Sequence, residues 1–228
     1  MRICINLIVF LLMFSAFSQE PKTYFEYEIA KHLKAYKTKS DAAIKNDNRE
    51  YAQFLFDSLF TNYLKNSYVL DMQIKMVKGG ILNTSDIEHS FLLITKTAWE
   101  QINRDEIKAI NKMAKMYKDQ MDIVILFWTS KSVAKDRSRD YNSLINITYV
   151  NERDNNANQI IKPYKHSFGA PACFYISEEK KLVNIDRKFT LHLKNDDTGV
   201  AFETAHEQIK LILFGNDNSN EAIITTLH

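Results

Sequence analysis

The sequence predicts an α/β domain in which a central mixed sheet is flanked by helices and preceded by an N-terminal helical extension. Two short apolar runs, residues 91–94 and 121–128, have the continuous hydrophobic character of strands buried on both faces. A helix-like segment follows each run. Strands that alternate with helices are typical of an α/β domain with right-handed crossovers, so both runs are predicted to belong to one sheet.

Composition and charge fit an ordinary globular domain, with 45% hydrophobic and 25% charged residues in a chain of 228. The formal net charge is +2, and acidic and basic residues are interspersed. This pattern gives no support for nucleic acid as a partner, which would call for a basic patch or stripe.

Residues 1–18 have the features of a signal peptide. Arg2 precedes an apolar core over residues 5–14, which is shorter than the roughly 20 residues needed to span a bilayer. Ala16 and Ser18 are small residues at the positions that a signal peptidase reads. We therefore expect cleavage before Gln19 and export to the periplasm or the extracellular space, with no transmembrane segment afterwards; an uncleaved anchor is the alternative.

Cysteine usage excludes an intramolecular disulfide in the exported protein. Cys4 lies in the predicted signal peptide, so Cys173 is the only thiol expected to remain. The six histidines are scattered and show no zinc-ligand spacing. We expect no metal and no cofactor.

Segment 19–67 is predicted to be helical, with a break at residues 46–48 where Asn48 or Asp47 can cap a second helix. The second helix carries an apolar stripe that serves either as a packing face or as a partner surface. Its members are Tyr51, Phe54, Leu55, Leu59, Tyr63 and Leu64.

From residue 68 the apolar period changes to two, which predicts a strand, a turn at residues 78–80 and a short return strand. Further predicted elements are helices over residues 103–118, 130–141, 155–164 and 200–214, strands over residues 144–150 and 181–185, and a strand directly after Pro171. Residues 68–214 are thus predicted to form one domain, followed by a tail over residues 215–228.

The stretch of residues 91–107 runs from a buried strand directly into a helix that Asn103 can cap. It resembles the TlpA/ResA-like exported branch of the thioredoxin-like superfamily (AhpC/TSA-redoxin type), where a strand precedes Trp-Cys-x-x-Cys-Arg-x-Glu. Trp99, Arg104 and Glu106 match this motif, whereas Glu100 and Asn103 stand at the cysteine positions of Glu100-Gln101-Ile102-Asn103. The resemblance implies a thioredoxin-like fold with a degenerate redox motif.

A second stretch, residues 168–176, matches the place where the family carries a cis proline that faces the redox motif. Pro171 takes that place in this chain, and Cys173 follows in an apolar strand that predicts its burial. The chain departs from the family at both cysteines and at Lys108, where a proline that kinks the helix is usual.

The resemblance implies that a groove formed by Trp99, Glu100, Ala170 and Pro171 binds an extended polypeptide through main-chain hydrogen bonds. We therefore predict a non-catalytic module with a polypeptide or protein partner. The alternatives are a redox enzyme that uses Cys173, and a structural role for the N-terminal helices. Dithiol chemistry is excluded because it needs an attacking thiolate and a resolving thiol. The Glu100 side chain is expected to be solvated or to cap the helix.

Overall fold

A computed structural model describes residues 22–151, 160–165, 168, 172–187 and 200–214, with the side chains of 200–205 and 208 excepted. The helices described are α1 (Phe25–Lys45), α2 (Arg49–Leu59), α3 (Arg104–Met116), α4 (Lys131–Arg137) and α5 (Val200–Phe214). The strands are β1 (Gln73–Met76), β2 (Ile81–Asn83), β3 (Ser90–Thr97), β4 (Met121–Trp128), β5 (Ile145–Tyr149), β6 (Ala172–Ile176) and β7 (Leu182–Asp186). A π-helical turn spans Phe60–Leu64, and 3₁₀ turns span Thr84–Asp86 and Lys162–Tyr164.

The strands form one mixed sheet in the order β2-β1-β5-β4-β3-β6-β7. Strands β3, β4 and β5 are parallel, whereas β6 runs antiparallel to β3 and β7 antiparallel to β6. All eight residues of β3 are buried, which explains why its sequence is apolar without alternation. In register, Leu93 lies between Val124 of β4 and Phe174 of β6.

Two apolar cores lie on the two faces of this sheet. Helices α1 and α2 cover one face, where Phe25, Ile29 and Phe56 pack with Leu93 and Phe174. Helices α3 and α5 cover the other face, where the buried residues include Leu92, Ile94, Met113, Cys173 and Ile209. The N-terminal helices therefore share a core with the sheet.

The predicted helical break and cap are confirmed, because the Asn48 side chain accepts a hydrogen bond from Tyr51 N at 3.0 Å. The apolar stripe of the second helix divides between core and surface. Its buried members are Leu59 and Leu64. Tyr51 and Phe54 are exposed, with their rings stacked at a centroid distance of 6.2 Å.

Several predicted elements differ in extent from those observed, and three differences have a visible cause or lie partly outside the described residues. β1 begins at Gln73 because Met72 N already bonds to the Thr84 hydroxyl, at 2.8 Å, outside the strand ladder. α4 ends at Arg137, and beyond it Asn142 N bonds to Asn111 Oδ1 of α3 at 2.8 Å, which directs the chain away from a helix. Half of the helix predicted over residues 155–164 lies outside the described residues, and its end is the 3₁₀ turn Lys162–Tyr164.

Within the part of the chain that the structure describes, no helix combines the length and apolar character needed to cross a bilayer.

Candidate functional site

The loop of residues 98–103 joins the end of β3 to the start of α3. Asn103 ends the loop, and its side-chain oxygen accepts hydrogen bonds from Asp105 N at 3.0 Å and Glu106 N at 3.2 Å. These bonds satisfy two of the backbone donors that every helix leaves open at its N-terminus. The predicted capping role of Asn103 is confirmed.

The Glu100 side chain connects the same loop to Thr97, the last residue of β3, by hydrogen bonds. One carboxylate oxygen accepts hydrogen bonds from Thr97 N at 2.8 Å and from the Thr97 hydroxyl at 3.0 Å. The Arg137 guanidinium donates to the Glu100 carbonyl from the neighbouring helix α4. The expectation of a solvated or helix-capping Glu100 is wrong: its side chain is only 17% exposed, and Asn103 caps the helix. The cost of burying this carboxylate is offset by the backbone and hydroxyl donors that bind it and by the nearby Lys96 ammonium.

A buried ion pair lies directly beneath the loop. Lys96 Nζ is 2.7 Å from Glu106 Oε1, and both side chains are 9% exposed. The second carboxylate oxygen of Glu100 lies 3.6 Å from the same ammonium. Two carboxylates thus lie beside one lysine, and the Arg137 guanidinium lines the same small cavity, so that two basic groups balance the two acidic ones.

Tyr141 borders this charged cluster, where it lines a small cavity together with Lys96, Glu100, Glu106 and Arg137. Burial raises the pKa of the Tyr141 phenol, and the negative charges of Glu106 and Glu100 raise it further. The phenol therefore remains protonated at neutral pH and can act only as a neutral hydrogen-bonding group.

Apolar side chains dominate the outer surface of the loop. Trp99 is 72% exposed, and Ile102 is also exposed. Large exposed hydrophobic residues that lie close together are typical of interaction surfaces. The structure thus combines a firmly bonded loop backbone with an exposed indole.

Ala170 and Pro171 lie outside the described residues. Their neighbour Ala172 is described, and it is paired with Thr95 near the end of β3. Ala172 N donates to the Thr95 hydroxyl at 3.3 Å, which in turn donates to the Ala172 carbonyl at 3.2 Å. The first residue of β6 therefore lies two β3 positions before Thr97, at the same end of the sheet as the Trp99 loop.

Cys173 is completely buried in β6, as its apolar neighbours predict. Burial raises the pKa of its thiol well above the ordinary value, and the charge of Asp186 on β7 raises it further. The thiol is consequently protonated and shielded from solvent, which is the opposite of the environment of a reactive cysteine.

In the described part of the chain, no group of three His, Cys, Asp or Glu side chains is arranged so that it could hold a metal ion.

Connectivity around the loop decides the fold class. Parallel strands β3 and β4 are joined through α3, β6 and β7 add an antiparallel hairpin beside β3, and α5 follows. The chain has a thioredoxin-like fold. The predicted fold class, a mixed sheet flanked by helices with an N-terminal helical extension, is confirmed.

Comparisons with solved structures give thioredoxin-fold proteins. A protein from Bacteroides thetaiotaomicron assigned as a protein disulfide isomerase is 17% identical, with a TM-score of 0.49 over 66% of this chain and 90% of that one. The thioredoxin domain of a thiol-disulfide oxidoreductase from Bacteroides vulgatus is 18% identical, with a TM-score of 0.47 over 65% and 99%. The exposed lipoprotein thioredoxin of Streptococcus pneumoniae is 15% identical, with a TM-score of 0.46 over 62% and 98%. No protein-family model matches the sequence, and no curated protein matches it either.

Sequence reasoning missed three residues that shape this thioredoxin-like site: Lys96, Arg137 and Tyr141. A signal was present for Lys96, because a lysine within the buried strand of residues 90–97 calls for a nearby carboxylate. Arg137 and Tyr141 follow a different strand, and only the parallel pairing of β3 and β4 brings them to the loop.

Proposed function

We propose that this protein is an exported thioredoxin-like module that binds extended polypeptide without redox catalysis. The proposal is supported by the structural roles of the two residues that stand at the positions of the redox cysteines. Asn103 caps α3, and the Glu100 carboxylate bonds to Thr97 and lies beside Lys96. Both side chains serve to hold the loop, and neither can supply the thiolate or the resolving thiol that disulfide exchange needs.

The proposed binding surface is the Trp99 groove, formed by Trp99, Glu100, Ala170 and Pro171. An exposed indole supports it, because tryptophan contributes a large contact area at small entropic cost. The pairing of Ala172 with Thr95 also supports it, since this pairing starts β6 at the loop end of the sheet. Proline has no N–H to donate, so a partner strand that pairs with the chain at Pro171 would do so through carbonyl groups.

Export is part of the proposal, with residues 1–18 as the signal peptide and residues 19–67 as an N-terminal helical segment. Residues 68–214 form the thioredoxin-like domain in this division, and residues 215–228 form a tail. The apolar core of residues 5–14 with its short positive start supports the signal peptide.

A redox enzyme that uses Cys173 is the alternative function. Disulfide exchange requires an accessible thiolate, whereas this thiol is buried and its pKa is raised. No described feature of the site favours this alternative.

Binding of a permanently unfolded polypeptide, reduced and carboxymethylated lactalbumin, tests the proposal. We expect Trp99→Ala to weaken binding by about tenfold, the loss of one interface hot spot, while Trp99→Phe retains most of the affinity. Ile81→Ala is the matched control, because Ile81 is another exposed hydrophobic residue but lies on the edge strand β2. Equal affinity of Trp99→Ala and the unmodified protein would remove the Trp99 groove as the binding site.

A further inference from the structure

A cavity of about 430 Å³ lies beside α1, the helix that helps to cover one face of the sheet. It opens between α1, Leu70 and the 3₁₀ turn Lys162–Tyr164. Aliphatic side chains form most of its lining: Ile29, Ala30, Leu33, Leu70, Ile160 and Pro163. Its volume falls in the range of about 300–1,000 Å³ that small-molecule sites occupy, and such sites are mostly apolar with few polar groups.

Glu26 is the acidic group of this cavity, and it is only 4% exposed. One of its carboxylate oxygens accepts a hydrogen bond from the Tyr164 hydroxyl at 2.8 Å, and Leu70 N donates to both oxygens at 3.2–3.3 Å. All these donors are neutral, and among the described residues no ion pair reaches the carboxylate. Glu26 lies in the first turn of α1, so the helix terminus adds only partial positive charge.

A buried carboxylate without a cation is costly, and an ammonium group brought by a ligand would compensate its charge. Burial raises the pKa of Glu26, which agrees with this lack of compensation. Lys162, the other charged residue of the lining, is exposed and therefore solvated at the rim. The charge inside the cavity is thus acidic, surrounded by aliphatic surface.

We propose that this cavity binds a small apolar compound with a primary ammonium group. The ammonium lies against the Glu26 carboxylate, and the hydrocarbon part packs against Ile29, Leu33 and Leu70. The cavity shares no described residue with the Trp99 loop, because it lies between α1, Leu70 and the 3₁₀ turn, whereas the loop joins β3 to α3.

Three probes of similar shape test the charge preference: 2-phenylethylammonium, 2-phenylethanol and 3-phenylpropionate. Their dissociation constants are measured by NMR titration of the protein. We expect the ammonium to bind about tenfold more tightly than the alcohol, because it forms a charge-assisted hydrogen bond with the carboxylate of Glu26. The carboxylate probe should bind most weakly of the three. Equal binding of ammonium and alcohol, tighter binding of the carboxylate, or no binding of any probe would overturn the proposal.

Two variants locate the binding. Glu26→Gln keeps an oxygen that accepts from Tyr164 and Leu70, and it should reduce the affinity for the ammonium to that for the alcohol. Glu28→Gln is the control, because Glu28 lies on the same helix but pairs with His32, at 3.3 Å, and does not line the cavity. Ala30→Trp fills the cavity from an exposed helical position that tolerates substitution, and it should abolish binding. Unchanged affinity for the ammonium in either Glu26→Gln or Ala30→Trp would contradict the proposed site.

Discussion

The ammonium of Lys96 lies 2.7 Å from the carboxylate of Glu106, so that a buried ion pair joins strand β3 to helix α3. This contact sits beneath the loop that carries Trp99 and Glu100. Because Glu100 also lies 3.6 Å from Lys96, one ammonium contacts a carboxylate of the loop and a carboxylate of the helix that follows it. The pair links the strand that precedes the loop to the helix that follows it.

Removal of one partner of this pair should destabilise the protein strongly. Lys96→Met leaves the Glu106 and Glu100 carboxylates without their cation, and we expect a loss of about 3–5 kcal/mol in the free energy of unfolding. Urea unfolding monitored by circular dichroism measures it. The double variant Lys96→Met with Glu106→Gln should regain part of the loss, because only one of the two carboxylates then lacks a cation.

Lys108→Met is the matched control for the ion pair. Lys108 pairs with Asp105 at 3.2 Å in the same helix, but both side chains are largely exposed. We expect a change of at most about 1 kcal/mol, as for other surface pairs. Similar effects of Lys96→Met and Lys108→Met would contradict a structural role for the buried pair.

The elements of the fold could be predicted wherever a local pattern was strong. The continuous apolar runs of β3 and β4 and the cap at Asn103 follow from local sequence alone. The role of the Glu100 carboxylate was missed although Thr97 and Lys96 are close in sequence, because no local pattern showed that the loop folds back on β3. The contact of Arg137 with the Glu100 carbonyl depends on strand pairing, which local sequence does not give. The cavity at Glu26 was missed for a similar reason, since Tyr164 is far away in sequence.

Alkaline pH should weaken the fold through Cys173. Its pKa is raised in the folded protein, so the thiol favours the folded state below the unfolded pKa of about 8.5, and this contribution is lost as pH rises. Between pH 7 and pH 9.5 the free energy of unfolding should fall by about 1.4 kcal/mol more than in Cys173→Ala. Parallel urea titrations of both proteins at the two pH values give this difference. An identical pH dependence would mean that the thiol ionises freely in the folded state.

The N-terminal helices should be indispensable for folding. Phe25, Ile29, Phe56, Leu59 and Leu64 belong to the same buried core as Leu93 and Phe174. Each such side chain contributes about 1.5–3 kcal/mol by burial, and five together rival the 5–15 kcal/mol total of a typical domain. A protein that begins at Tyr68 should therefore lack a cooperative thermal transition in calorimetry. A cooperative transition in the shortened protein would indicate that residues 68–214 fold alone.

Export predicts a mature protein that begins at Gln19. The small residues Ala16 and Ser18 precede this position, and the apolar core ends a short distance before them. Amino-terminal sequencing of the protein recovered from its native host identifies the first residue. Met1 at the terminus of the folded protein would contradict export by a cleaved signal peptide.

Restoring both thiols tests whether Glu100 and Asn103 occupy the redox positions. The unmodified protein should not reduce insulin, whereas Glu100→Cys with Asn103→Cys should form an intramolecular disulfide, because the two positions then place a Cys-x-x-Cys pair at the start of α3. Loss of the Asn103 cap should cost about 1 kcal/mol of stability, so folding is checked by circular dichroism.

Titration of free thiols after mild oxidation measures whether the disulfide has formed. Each single variant is a control, because its new cysteine has no nearby partner thiol. Cys173 is buried and should stay unreacted until denaturant is added. A folded double variant that keeps both new thiols free would show that these positions do not correspond to the redox pair, and with it the reason for calling the site non-catalytic would be lost.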